Sequence, residues 1–244
     1  MRRQSRLGVG LLVMLGGAAS GPLSAAGVVT ECTQAGLEAA IEGGGDVRFD
    51  CTATEIALSS PLVFESVDVR IDGSTEQGAM RLLAAEGVDI PLVLVSTSAT
   101  VGLSNLQLSG GQAENGGAIN NAGTLMLDAV SVSNSRATGN GGGIANTGVM
   151  QATGLVLSGN SATQAGGGLF NAGEASVSVS TLSSNEAGAV GGGVANLGTL
   201  TSRQVRLAGN RSDSIGGGLY NRGAASLAQA SLVDNEAAVA GGGV

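Results

Sequence analysis

The sequence predicts an all-β solenoid, built of short strands coiled into units that stack in parallel, with a short capping helix at the N-terminal end. Three observations carry this expectation. Asparagine recurs every 25 residues at Asn121, Asn146, Asn171, Asn196 and Asn221, and a second series, Asn160, Asn185, Asn210 and Asn235, keeps the same step. Glycine keeps it at Gly123, Gly148, Gly173, Gly198 and Gly223, and aliphatic residues keep it at Ile119, Ile144, Leu169, Val194, Leu219 and Val244. Within a unit the apolar positions alternate at a spacing of two, which is the strand period. A fixed interval of identical residues means one supersecondary unit stacked on copies of itself.

The elements follow in chain order. Arg2, Arg3 and Arg6 precede the apolar run Leu7–Ala19, Gly21 and Pro22 break it, and Ser24-Ala25-Ala26 has small residues at a cleavage site. This reads as a signal peptide over 1–26, too short for a membrane span, and so as export. Cys32 and Cys51 are the two cysteines, and in an exported chain they are expected to pair. Thr33–Glu42 has Leu37, Ala40 and Ile41 on one side and is stopped by Gly43–Gly45, which predicts a helix covering the first open edge of the stack. From 27 to 115 the strands VRFD, EIALSS, PLVFESVDVRIDG, MRLLA, PLVLVS and SNLQLSG form irregular coils. From 116 to 244 the coils are regular, with inward columns at Leu125/Met150/Ala175/Leu200/Ala225, Leu127/Ala152/Val177/Ser202/Leu227 and Val132/Leu157/Leu182/Leu207/Leu232. Both asparagine columns are expected to be corner ladders that bond amide to amide, a structural role. The chain stops in phase at Gly241–Val244, which reads as a truncation with a continuation expected beyond it.

A leucine-rich repeat competes, because Leu155-x-Leu157-x-x-Asn160 fits part of its pattern. Its convex half needs a helix or a similar segment, whereas here that half is Gly-Gly-Gly-aliphatic-x-Asn-x-Gly, with no helix former.

Composition narrows the function. Of 244 residues 43 are glycine, but only 3 are proline and no Gly-X-Y period exists, which excludes collagen. Aromatics are 2% of the chain, which suits a narrow interior filled by small aliphatic side chains. Net charge is -8, and loss of the three leader arginines takes it to -11, which disfavours nucleic acid and anionic membranes as partners. There is no histidine, so no Ser/His or Cys/His nucleophile system can be built, and no cofactor or metal is expected.

The repeated GGAIN at 116–120, then GGGIAN, GGGLFN, GGGVAN and GGGLYN, resemble the GGA[ILV] motif of chlamydial polymorphic membrane proteins. The partner motif of that family, FxxN, is matched by Leu157–Asn160, Leu182–Asn185, Leu207–Asn210 and Leu232–Asn235, with Leu in place of Phe; in the first unit the asparagine is displaced to Asn134. The likeness covers about 116–244. It implies a right-handed parallel β-helix of the pectin-lyase-like class at the bacterial surface, acting as an adhesin or passenger-like scaffold. The expected location is extracellular or on the outer membrane, the expected partners are surface glycans or host cell-surface proteins, and the family's membrane barrel would lie in the continuation.

Polysaccharide lyases and hydrolases also use this fold, so an enzyme is the alternative. Hydrolysis needs two carboxylates some 5–10 Å apart, and calcium needs several. In the regular coils acids do not line up: Asp128 meets Thr153 and Ser178, and Glu186 and Glu236 are separated by Arg211 in a column headed by Arg136. The remaining cluster is Asp68, Arg70 and Asp72, projecting from one strand face, with Asp46 and Asp50 nearby in sequence. It reads as a solvated strand face, and the chain as a non-catalytic scaffold.

Overall fold

One turn of chain, Gly141 to Ala165, shows how alternation becomes architecture. Ile144–Asn146, Val149–Thr153, Val156–Ser158 and Ser161–Ala162 are strands. In the second of them Met150 and Ala152 are buried while Val149, Gln151 and Thr153 face out. Each strand pairs in parallel with its equivalent 25 residues on: Ile144 with Leu169, Met150 with Ala175, Leu157 with Leu182, Ala162 with Ala187. A computed structural model describes residues 25–244, and there this turn recurs about 8 times. With 53% strand and 4% helix the chain is all-β, and its architecture is that of a right-handed parallel β-helix. The expected leader therefore lies outside the described residues apart from Ala25 and Ala26, which belong to the strand Ala25–Val29.

Three sheets run along the stack, with sixteen, seven and six strands; we call them sheets I, II and III, and they begin at Ala25, Leu62 and Gln112 respectively. Sheet I contains two ladders side by side, because two strands of every coil join it. The strands Glu174–Ser183 and Thr199–Ala208 run unbroken through both ladders and fuse them. The interior is one continuous file of apolar, mostly aliphatic side chains, from Val47 and Phe64 to Leu207 and Leu219. The convex helix that a leucine-rich repeat requires is absent from every coil: among the described residues the one helix is Gln34–Ile41.

That helix closes the N-terminal edge. Thr33 caps it, its hydroxyl accepting from the Gly36 nitrogen at 3.1 Å. Leu37, Ala40 and Ile41 are its buried face. Gln34 ties it to the first coils, donating to Ser60 Oγ at 2.6 Å and accepting from the Ser59 nitrogen at 2.8 Å. Cys32 and Cys51 form a disulfide with Cα atoms 5.8 Å apart, joining the helix approach to the end of strand Gly45–Phe49. Two features of the irregular coils escape the sequence pattern. Thr100–Ser104 is a strand, and Ser74–Thr75 folds back antiparallel on Gly78–Ala79.

Three corners per coil hold a residue with positive φ, and they tolerate different residues. The first corner is occupied by Ala129, Gly154, Val179, Gln204 and Gln229, the second by Asn134, Gly159, Ser184, Gly209 and Asp234. The third is always glycine: Gly116, Gly141, Gly166, Gly191, Gly216 and Gly241. Space explains the difference. A Cβ added to Gly209 would meet nothing within 4 Å, whereas one on Gly166 would stand 2.7 Å from the Phe170 nitrogen. The next glycine, Gly167, lies against the backbone of Glu186, so the coil is pinched there to backbone thickness.

The two asparagine columns are buried inside the coil up to Asn196 and Asn210, with only the last members, Asn221 and Asn235, open or partly open to solvent, and their backbones are not left-handed; the residue before each member of the second column is. In the first column Asn146 Nδ2 donates to Asn171 Oδ1 at 2.7 Å and to the Glu174 carbonyl at 3.0 Å, while its Oδ1 accepts from Asn121 at 2.6 Å. In the second, Asn185 uses its full capacity. It donates to the Leu157 carbonyl at 3.0 Å and to Asn210 Oδ1 at 2.9 Å, and it accepts from the nitrogen and side chain of Asn160 at 3.1 and 3.0 Å. At the displaced Asn134 the chain uses another residue: Asn134 takes the left-handed corner (φ 53), and Ser135 enters the ladder, its nitrogen donating to Asn160 Oδ1 at 3.0 Å. Sheet II begins this first column with Phe64 and Val95, so the ladder starts where the apolar file ends.

Two outcomes follow for chemical denaturation. Gly166→Ala is expected to cost about 3 kcal/mol or more, from backbone clash added to positive φ, and Gly209→Ala only the φ penalty of about 1–2 kcal/mol. Asn185→Leu leaves several buried groups without partners, at about 1–3 kcal/mol each, and should lower the urea midpoint far more than Asn221→Ala at the exposed end of the other ladder.

Candidate functional site

The outward face of the first ladder of sheet I carries three columns of side chains. One of them reads Arg70, Gly102, Met126, Gln151, Ser176 and Thr201 in successive coils. Gly102 interrupts it. With no side chain there, the Arg70 stem leans across, its Cγ 3.1 Å from where a Cβ would stand. The result is a hollow of about 280 Å³ lined by Arg70, Gly102, Ser104, Met126, Asp128, Gln151 and Thr153. A cation, a carboxylate, an amide and two hydroxyls ring an apolar patch of Met126. Such a set can hold a polyhydroxylated ligand by hydrogen bonds on one side and C–H contact on the other.

The cluster Asp68, Arg70 and Asp72 sits at the edge of this hollow. All three lie on the strand Asp68–Asp72, with Val69 and Ile71 buried beneath. Across the next strand Asp46 stands beside Arg70 and Arg48 beside Asp72, so charge alternates in both directions. Asp50 follows that strand, next to Cys51, and is not brought to the cluster. Asp72 is engaged within its own turn, accepting from Ser74 Oγ at 2.8 Å, the Ser74 nitrogen at 3.1 Å and Asn105 Nδ2 at 3.0 Å. Partial burial pushes this carboxyl up, but the hydrogen bonds from Asn105, Ser74 and Ser104 outweigh it and hold it below the usual 3.8. It is an ionised acceptor at neutral pH, unsuited to giving up a proton. Among the described residues no group of three or more acidic, cysteine or histidine side chains converges as a metal cage.

Sequence reading missed two things here. One is the hollow itself, whose signal was a single glycine in Thr100–Ser104. The other is a second hollow of about 280 Å³ beside sheet III, lined by Asp89, Gln112, Ala113, Glu114, Arg136 and Thr138. Asp89 and Glu114 are the acids from different coils that share a depression. Further along sheet III, Arg211 lies 3.5 Å from Glu186 and 3.4 Å from Asp213, exposed ion pairs of small energetic value. Among the described residues no helix is long and apolar enough to cross a membrane.

Compared with models of known families, the chain matches none, and no curated protein or solved structure matches it either.

The Asp72 turn gives a pH prediction. Its folded pKa lies below the unfolded one, so its stabilisation is present at neutral pH and is lost as pH falls through the carboxylate range. The group is only partly buried, so solvent screens it and the effect is small. Asp72→Asn should lower the thermal midpoint slightly at about pH 6 and narrow the gap to wild type at about pH 3, as followed by circular dichroism.

Proposed function

We propose that this chain is an exported, non-catalytic scaffold at the bacterial surface, in the manner of the polymorphic outer membrane proteins its repeats resemble, and that its outer sheet face adheres to surface glycans. One observation carries the reading: a continuous face of exposed hydroxyl, amide and scattered charged side chains, repeated coil by coil and hollowed at Gly102. Parallel strands stand about 4.8 Å apart, so equivalent groups recur at close, constant spacing. A repeated face of this kind suits weak contacts summed along a polymer. The disulfide agrees with an oxidising compartment outside the cytoplasm. The engaged Asp72 and the open Gly102 hollow fit binding better than proton transfer in a closed cleft.

The alternative reading is a polysaccharide lyase or hydrolase, and the hollow holding Asp89 and Glu114 favours it where anything does. One assay separates the two. The protein is incubated with a panel of neutral and acidic polysaccharides, and both retention and product release are measured. Retention with no new reducing ends or unsaturated products is the expected result. Product release that disappears in Asp89→Asn, Asp68→Asn or Asp72→Asn would establish the enzyme and discard the scaffold reading.

A further inference from the structure

Of the eight arginines between residues 25 and 244, four lie between 203 and 222. Two of these, Arg203 and Arg206, share the strand Thr199–Ala208. Residues three apart on a regular strand face opposite sides. Here they do not, because Gln204 between them is left-handed (φ 55) and resets the alternation. Ser202, Val205 and Leu207 point inward while Arg203, Gln204 and Arg206 are all exposed. The corner therefore sets two guanidinium groups on one outer surface.

Neither group is neutralised. Among the described residues no carboxylate lies within ion-pair distance of either, and neither makes a side-chain hydrogen bond; Arg211 and Arg81, by contrast, are paired with glutamates at 3.5 Å. The cross-strand neighbours are Ser178 and Ala228 for Arg203, and Thr181 and Ser231 for Arg206. The nearest acid in the Arg203 column is Asp128, three coils away, or about 14 Å at the parallel-strand spacing. That exceeds the screening length of about 8 Å in physiological salt. An acidic chain thus carries an uncompensated cationic doublet framed by hydroxyls and an amide.

We propose that Arg203 and Arg206 form an anion-recognition site for an acidic polysaccharide, one bearing sulfate esters or uronate carboxylates. Guanidinium presents a planar fork that matches either anion with two hydrogen bonds, while Thr181, Ser231 and Gln204 supply partners for the neutral sugar hydroxyls. A polymer is the fitting occupant, since one doublet binds weakly and repeated anions add avidity. Nucleic acid is disfavoured because the strand Thr199–Ala208 and the strands paired with it carry no aromatic side chain on which bases could stack. Two charges are also too few to hold the protein on an anionic bilayer.

This proposal rests on the adhesive reading above, and the experiment separates the two. The exported protein is passed over immobilised dextran sulfate, polygalacturonate and neutral dextran at low and high salt. The comparison proteins are the Arg203→Gln/Arg206→Gln double variant and a variant of the exposed Arg222, Arg222→Gln, which lies outside both the hollow and the doublet. Circular dichroism checks that both variants keep the fold. Binding to dextran sulfate, polygalacturonate or both, weakened by salt and about tenfold or more by the double variant but not by Arg222→Gln, is the expected result. Sulfate-only or carboxylate-only binding identifies which anion is used. Retention on neutral dextran alone would overturn the anion site and leave the adhesive reading standing. Anion binding lost equally in Arg222→Gln would overturn it as well, by showing diffuse charge attraction. Retention on none of the three polymers would overturn both.

Discussion

The coil depends on an amide that can bond to a copy of itself. A primary amide donates twice and accepts twice, so an asparagine column needs no second residue type to close its hydrogen bonds. Asn185 shows the full exchange, giving to one neighbouring amide and a backbone carbonyl while receiving from the other neighbour twice. An aspartate column would stack like charges in a buried file, and a leucine column would leave the corner carbonyls and nitrogens without partners. The glycine triplets leave no room for a side chain beside the ladder: a Cβ on Gly168 would stand 3.1 Å from the Asn185 amide and 2.7 Å from the Gly193 carbonyl oxygen. Ladder and triplet therefore constrain each other, and both fix the 25-residue period.

Outside the ladders the interior is ordinary aliphatic packing, and it tolerates irregularity. Leu, Met, Ala and Val succeed one another in the columns with no fixed size. Coil 191–215 even places two inward hydroxyls, Ser202 and Ser212, without hydrogen-bond partners. A buried hydroxyl left this way costs stability. The same coil carries Arg203 and Arg206 on its outside.

Much of the architecture was legible because the period repeats it. The strands, the inward columns, the cap helix with Leu37, Ala40 and Ile41 buried, and the pairing of Cys32 with Cys51 can all be read from spacing and residue type. What could not be read is instructive. Ala129, Val179 and Gln204 occupy a left-handed corner that none of them announces, because that corner restricts chain direction and leaves open space for a Cβ. The hollow at Gly102 comes from the absence of one side chain in a column, and a column is visible only after register is known. Arg203 and Arg206 look like opposite-face residues until the reset at Gln204 is seen. In each case local geometry overrode the period-two count that sequence reading applies.

The donating direction of the ladders has a consequence for how such a chain changes over generations. Every amide hands its proton to the coil that follows, and every coil offers the same acceptor to the coil before it. Upper and lower faces of the regular coils are thus interchangeable parts. A recombination event that removes or duplicates one 25-residue unit rejoins acceptor to donor and leaves every other contact in place. Copy number can drift while the fold stays the same, and the length of the stack becomes a quantity that selection can set in steps of one strand spacing.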